Sequence, residues 1–136
     1  MPNLEGMSAL RVAVADDSVL LREGLVRVLR DAGVEVVGAY GDAEALLAAV
    51  PELQLDAVVL DVRMPPTFRD EGVRAAIELR RRHPAVAILL LSQYVEVAYA
   101  QELLAAGTGG VGYLLKDRVV SLDEVRDALE RVAAGG

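Results

Sequence analysis

The amino-acid sequence predicts a doubly wound α/β fold, a five-stranded parallel sheet covered by five helices, and three observations carry that prediction. Five short runs rich in β-branched residues recur at 10–15, 34–40, 56–60, 86–91 and 110–115, and beyond a charged residue at or near the start of three of them (Arg11, Glu35, Asp56) each is apolar without alternation, as strands buried on both faces are. Helical periodicity fills the stretches between them, and strict strand–helix alternation belongs to parallel sheets. At 136 residues and 14.5 kDa the chain has room for one core and not for two joined by a linker.

The elements follow in order. The first strand ends in Asp16-Asp17, and a helix over about 18–32 places Leu21, Leu25, Val28 and Leu29 on one face before Gly33 stops it. The second strand closes on Tyr40-Gly41 with no acid until Asp42, which suits the margin of a sheet, and its helix over about 42–50 is closed by Pro51. The third strand runs into Asp61. A helix over about 71–82 follows, ends before Pro84, and sets Arg80, Arg81 and Arg82 at the negative end of its dipole. The fourth strand meets Ser92 and leads to a helix over about 95–106 that ends at Gly107. The fifth strand stops at Lys116. The last helix begins at Ser121, which with Glu124 forms a reciprocal capping box ahead of Val125, Ala128, Leu129 and Val132. Residues 133–136, all small, read as a helix exit or the beginning of a linker, and there is no internal repeat or low-complexity tract.

Composition narrows the function. Hydrophobic residues make up 54% and charged residues 26%, enough apolar surface to offset chain entropy and exclude disorder. The longest purely apolar run, 85–91, falls far short of the roughly 18 residues that cross a bilayer. Residues 1–10 carry no basic patch followed by an apolar segment, so they do not read as a secretory signal, and cytoplasm is the expected compartment. With no cysteine there is neither a disulfide framework nor a thiolate metal site. A net charge of −7 with Phe 1, Tyr 4 and Trp 0 supplies neither the cationic footprint nor the stacking platform of a nucleic-acid binder.

In a parallel doubly wound sheet, ligands bind outside the carboxyl ends of the strands. Asp16, Asp17, Asp61, Ser92 and Lys116 all fall at such ends, so three carboxylates, a hydroxyl and an ammonium are expected along one edge. Clustered carboxylates repel, and a divalent cation relieves them; an all-oxygen cage favours magnesium, which keeps several waters and leaves room for a phosphoryl oxygen. Such a constellation suits phosphoryl transfer, where positioning and charge neutralisation dominate. Asp61 is the candidate nucleophile, a carboxylate able to form an acyl phosphate at the end of a central strand. For each acid taken alone the plain alternative is a helix N-cap, Asp17 foremost.

These residues resemble the receiver domain of bacterial two-component response regulators over nearly the whole chain, from about Leu10 to Ala134. The resemblance lies in Ala15-Asp16-Asp17, Leu60-Asp61-Val62-Arg63-Met64-Pro65, Leu91-Ser92 and Gly112-Tyr113-Leu114-Leu115-Lys116-Asp117, in order and spacing. Arg22-Glu23-Gly24-Leu25 is similar to the NarL/LuxR-type subfamily, whose members end in a helix-turn-helix. It implies a flavodoxin-like strand order 2-1-3-4-5 with five helices, an N-terminal extension over 1–9, the receiver over 10–134, and the start of a linker at 135–136 toward an output domain outside this chain. Asp61 is then the phosphoacceptor. Asp17 and Asp61 bind Mg2+ directly with the backbone carbonyl of Arg63, Asp16 acts through water, and Lys116 pairs with the phosphoryl group. Ser92 is the switch hydroxyl, and Tyr113 the aromatic that moves inward behind it. A histidine kinase is the implied donor, docking on the first helix. A homodimer on phosphorylation and DNA contact through the output domain are further implications, and no membrane contact is implied.

Some features depart from the family pattern. The loop between Pro65 and Gly72 is longer than usual and borders the phosphate site. Asp117 stands where many members place a proline after the lysine; a cis bond there would cost about 2.5–4 kcal/mol, so a different loop geometry is expected. Gln93 and Tyr94 follow the switch serine, where bulk alters water access to an acyl phosphate.

Other motifs carry less. Residues 107–112 satisfy G-x-G-x-x-G but follow a helix and open a strand, the reverse of a dinucleotide-binding turn. Asp61-Val62-Arg63 lacks the second acid that haloacid-dehalogenase-like phosphatases use as general acid. His83, the single histidine, precedes Pro84 at a helix end and reads as a dipole contact, and the arginines at 80–82 as a solvated face. The leading reading is a self-modifying switch and not a metabolic enzyme. A phosphatase-like hydrolase using the same acids and a phosphorylation-independent interaction domain of the same fold are the competing ones.

Overall fold

Apolar runs that tolerate no exposed face must be covered on both, and the computed structural model, which describes residues 10–62, 71–92, 111–115 and 122–134, shows how. Strands β1 (Arg11–Ala15), β2 (Glu35–Tyr40), β3 (Ala57–Asp61), β4 (Ala87–Ser92) and β5 (Val111–Leu115) pair in parallel in the order β2-β1-β3-β4-β5. The sheet order is therefore the expected one. Helices α1 (Val19–Asp31), α2 (Ala43–Ala49) and α3 (Glu71–Arg82), with a C-terminal helix (Leu122–Ala133), accompany the strands. The helix expected over 95–106 lies outside the described residues, as does the proposed cap Ser121.

Because successive strand residues point to opposite faces, each strand feeds two cores. Val12 and Val14 of β1, Val59 of β3 and Leu89 and Leu91 of β4 join Leu25 and Leu29 of α1 and Leu129 and Val132 of the C-terminal helix. Ala13, Ala15, Val58, Leu60, Ile88 and Leu90 meet Leu46 of α2 and Val73, Ala76 and Leu79 of α3 on the other face. Leu25, Leu29, Leu46 and Leu79 are fully buried, and each such side chain contributes about 1.5–3 kcal/mol of apolar transfer.

The helix ends agree with local chemistry. Ser18 caps α1, with its Oγ accepting from Leu21 N at 3.3 Å. Gly33, at φ 87, turns the chain after it, a left-handed conformation in which a Cβ is strained. α2 ends at Ala49 with Val50 as its C-cap, directly before Pro51 as expected, and the chain goes on as a 3-10 turn over Val50–Glu52, where a proline at the start loses no hydrogen bond. One detail differs from the sequence reading. Strand β2 is only half-buried along most of its length, since it sits at the sheet margin with one neighbour. Its pairing with β1 also shifts register between Val12 and Ala13, a bulge of the kind edge strands use.

Register fixes what stands at the carboxyl edge. Ala15 is level with Tyr40 and Leu60, Leu60 with Leu90, and Leu90 with Tyr113. One residue further on come Asp16, Asp61, Leu91 and Leu114, and one beyond that Ser92 beside Leu115. Two acids from neighbouring central strands thus share a row.

Candidate functional site

A central strand that ends in an acid delivers it to the switch point of the sheet, and β1 and β3 both do so. Carboxylate oxygens of Asp16, Asp17 and Asp61 lie within 4.8 Å of one another, with Asp16 and Asp61 buried and Asp17 exposed. At about 4 Å two like charges repel by about 1 kcal/mol in bulk water and about 4 near a protein surface, so this trio is poised for a cation.

Backbone contacts hold the trio. Asp16 N donates to the Tyr40 carbonyl at 3.0 Å, tying the end of β1 to the sheet margin. Asp16 Oδ1 accepts from Ser18 N at 3.0 Å, an Asx-type turn that starts the chain toward α1. Since Ser18 supplies the cap of α1, the alternative reading of Asp17 as that cap does not hold. Opposite, Val62 N donates to the Leu91 carbonyl at 2.9 Å, extending the β3–β4 ladder one step past Asp61.

Two contributors to this edge were not singled out from the sequence as site residues. Gly72, in the first turn of α3, donates its N–H to the Val62 carbonyl at 2.9 Å, and a Cβ there would run into the carbonyl oxygen of Asp61. Glycine is the residue that lets α3 lie backbone-to-backbone on the strand end. The signal was present: a glycine in the first turn of a helix is disfavoured unless something approaches closely. Arg22 of α1 donates from Nη1 to the Asp16 carbonyl at 2.8 Å in a partly buried contact. Its sequence cue was membership of the Arg22-Glu23-Gly24-Leu25 segment.

The remaining predicted positions are placed less completely. Ser92 closes β4 beside Leu115, and Tyr113 stands level with Leu90; their side-chain contacts lie outside the described part of the structure. Arg63, Lys116, Asp117, Gln93, Tyr94 and most of the 65–72 loop lie outside the described residues. Away from the edge, His83 is half-exposed, with its N–H on the Leu79 carbonyl at 2.7 Å, and the arginine run is a surface feature. Arg81 and Arg82 both pair with Glu78, and their side chains are 70% and 68% exposed, which fits a solvated face. An open groove along α1, lined in part by Val26, Arg27, Arg30 and Ala39, contains none of the clustered acids.

The donor set fits magnesium. All three donors are hard carboxylate oxygens, two are buried and one is exposed, and the exposed side leaves positions for water and a ligand oxygen. Among the described residues no helix is long and apolar enough to cross a membrane.

Comparisons with known proteins converge. A family model described as the response regulator receiver domain matches residues 12–130. The transcriptional regulatory protein DegU of Brevibacillus brevis is 34% identical over 128 residues, covering 93% of this chain and 51% of that protein. The response regulator GacA of Pseudomonas viridiflava is 35% identical over 127 residues, covering 93% of this chain and 56% of that protein. Among solved structures, the signal receiver domain of the response regulator NarL from Mycobacterium tuberculosis superposes with a TM-score of 0.82 at 34% identity, covering 96% of this chain and 100% of that one. The chain spans about half the length of the curated relatives it matches.

Proposed function

The chain belongs to the response regulator receiver domain family, and from that premise we propose that it is a phosphorylation-driven switch with Asp61 as its phosphoacceptor. The observation that carries the reading is the meeting of Asp16, Asp17 and Asp61 at the carboxyl edge of the two central strands. An Asp61 carboxylate oxygen attacks the phosphorus of a phosphohistidine on a sensor kinase; the new O–P bond forms as the N–P bond breaks, and the imidazole leaves with the bonding pair. Water later attacks the same phosphorus, the acyl-phosphate O–P bond breaks, and inorganic phosphate departs.

Magnesium, when bound, neutralises charge that builds on the transferring phosphoryl oxygens. Asp17, Asp61 and the Arg63 carbonyl hold it directly in this reading, with Asp16 acting through water. The rest belongs to the chain. The row shared by Asp16 and Asp61 preorganises the acids, and Lys116 offers a cation to the phosphoryl group. Ser92 offers a hydroxyl that swings toward that group once about −1.5 to −2 charge arrives there. Tyr113 then moves inward, which remodels the surface formed by the helix over 95–106, β5 and the C-terminal helix, the complement of five helices being part of this proposal. The altered face promotes homodimerisation and controls a LuxR-type DNA-binding output domain in the whole protein, in the cytoplasm and without membrane contact. Residues 1–9 are an extension, 10–134 the receiver and 135–136 the start of a linker.

The test is incubation with a small acyl-phosphate donor and magnesium. Intact mass is expected to rise by one phosphoryl group in the wild type and not in Asp61→Asn. Repeated turnover of an exogenous phosphomonoester would instead mark a hydrolase, and a wild type that takes up no phosphoryl group would mark a phosphorylation-independent interaction domain.

A further inference from the structure

Resting on the reading of the acidic trio as a magnesium site, we infer that Arg22 is a positioning residue for that site, fixing the Asp16–Asp17 peptide from α1. The chain at Asp16 is pinned on three sides. Its N–H is bound to the Tyr40 carbonyl, its Oδ1 accepts from Ser18 N, and its carbonyl accepts from Arg22 Nη1 at 2.8 Å. A peptide is planar, so the direction of the Asp16 carbonyl sets the direction in which the chain leaves toward the Cα of Asp17. This matters most for Asp17. Asp16 and Asp61 are buried and held by packing, whereas Asp17 is exposed and depends on the orientation of the peptide before it.

The guanidinium has a fitted place. Its Nη1 lies 3.3 Å from where a Cβ on Gly41 would stand, so the arginine crosses the turn after β2 on its way to Asp16. Gly41 does not adopt a left-handed φ, so an alanine there probes space and not backbone strain. Arg22 thereby links three pieces of the edge: α1, which carries it; the β1 end, which it binds; and the β2 end, which it lies against.

Charge alone predicts the opposite of positioning. A guanidinium beside carboxylates competes with an added cation, so on Coulombic grounds Arg22→Gln should tighten magnesium binding. Positioning predicts that the same substitution weakens it, by about tenfold if it follows the loss of an outer-shell partner at other metal sites. Arg27, exposed on the same helix and lining the groove along α1, serves as the charge control.

The experiment is calorimetric titration of the full chain with magnesium chloride for wild type, Arg22→Gln, Arg22→Lys, Gly41→Ala and Arg27→Gln, with amide hydrogen exchange on the metal-free proteins. Arg22→Gln is expected to raise the magnesium Kd about tenfold. Arg22→Lys should recover part of that loss, Gly41→Ala should show a smaller loss in the same direction, and Arg27→Gln should match wild type. In metal-free Arg22→Gln, the amide of Ser18, which donates to Asp16 Oδ1, should exchange faster while those of Val12–Val14 stay protected. Unchanged or tighter binding in Arg22→Gln, equal weakening in Arg27→Gln, or unaltered exchange at Ser18 would overturn the inference. A wild type that binds no magnesium would instead overturn the site reading on which it rests.

Discussion

The turns after β1 and after β2 begin alike and end in different uses. Each leaves a strand, contains an acid and starts a helix. After β2, at the sheet margin, Asp42 is the N-cap of α2, its Oδ1 accepting from Ala45 N at 2.7 Å. After β1, beside β3, a serine caps α1 at 3.3 Å, and the two acids before it join Asp61. The difference teaches that an acid after a strand is left for site chemistry when another residue satisfies the helix and a central neighbour brings a further acid, as β3 brings Asp61. Where no other residue caps the helix, the carboxylate completes it.

Substitutions at the two turns should therefore separate metal binding from stability. The largest effect is expected at Asp17→Asn. Magnesium affinity should fall by at least the roughly 10–100-fold that loss of an outer-shell partner costs, while the metal-free protein keeps or gains stability because a repulsion is removed. Calorimetric titration and thermal melting read the two quantities apart. Gly72→Ala comes next: with the Asp61 carbonyl in the way, overpacking should cost about 1–3 kcal/mol by chemical denaturation, and acyl-phosphate labelling of Asp61 should slow because the strand end has to shift. Asp42→Ala should cost about 1 kcal/mol of stability through loss of the cap and leave magnesium affinity at the wild-type value. A weakened magnesium Kd in Asp42→Ala would erase the contrast between the turns. Ser18→Ala should be mildest, about 0.5 kcal/mol, because its cap bond is the longer one.

How far all this could be read from residues alone depended on range. The continuous apolar runs at 57–60 and 86–91 announced strands buried on both faces, because period and composition are local properties. The acids at 16, 17 and 61 were legible for the same reason, Asp16 and Asp61 being the first polar residues after such runs and Asp17 following directly. Which residue caps α1 was not legible, since Asp17 and Ser18 are both competent and the choice is made by the turn at Asp16. Nor was the approach of Gly72 to Asp61, or the reach of Arg22 across the turn, because both depend on how helices lie on the sheet. Pro51 was legible as the end of the α-helical pattern, though not the 3-10 turn that it enters without loss.

The most direct measurement of the central claim is chemical trapping. After incubation with a small acyl-phosphate donor and magnesium, borohydride reduces an aspartyl phosphate to the corresponding alcohol, and peptide mapping locates the converted side chain. Conversion at residue 61, dependent on magnesium and lost in Asp17→Asn, is the predicted result. Conversion at Asp16 or Asp17 with residue 61 untouched, or no conversion under conditions where magnesium binds, would contradict it.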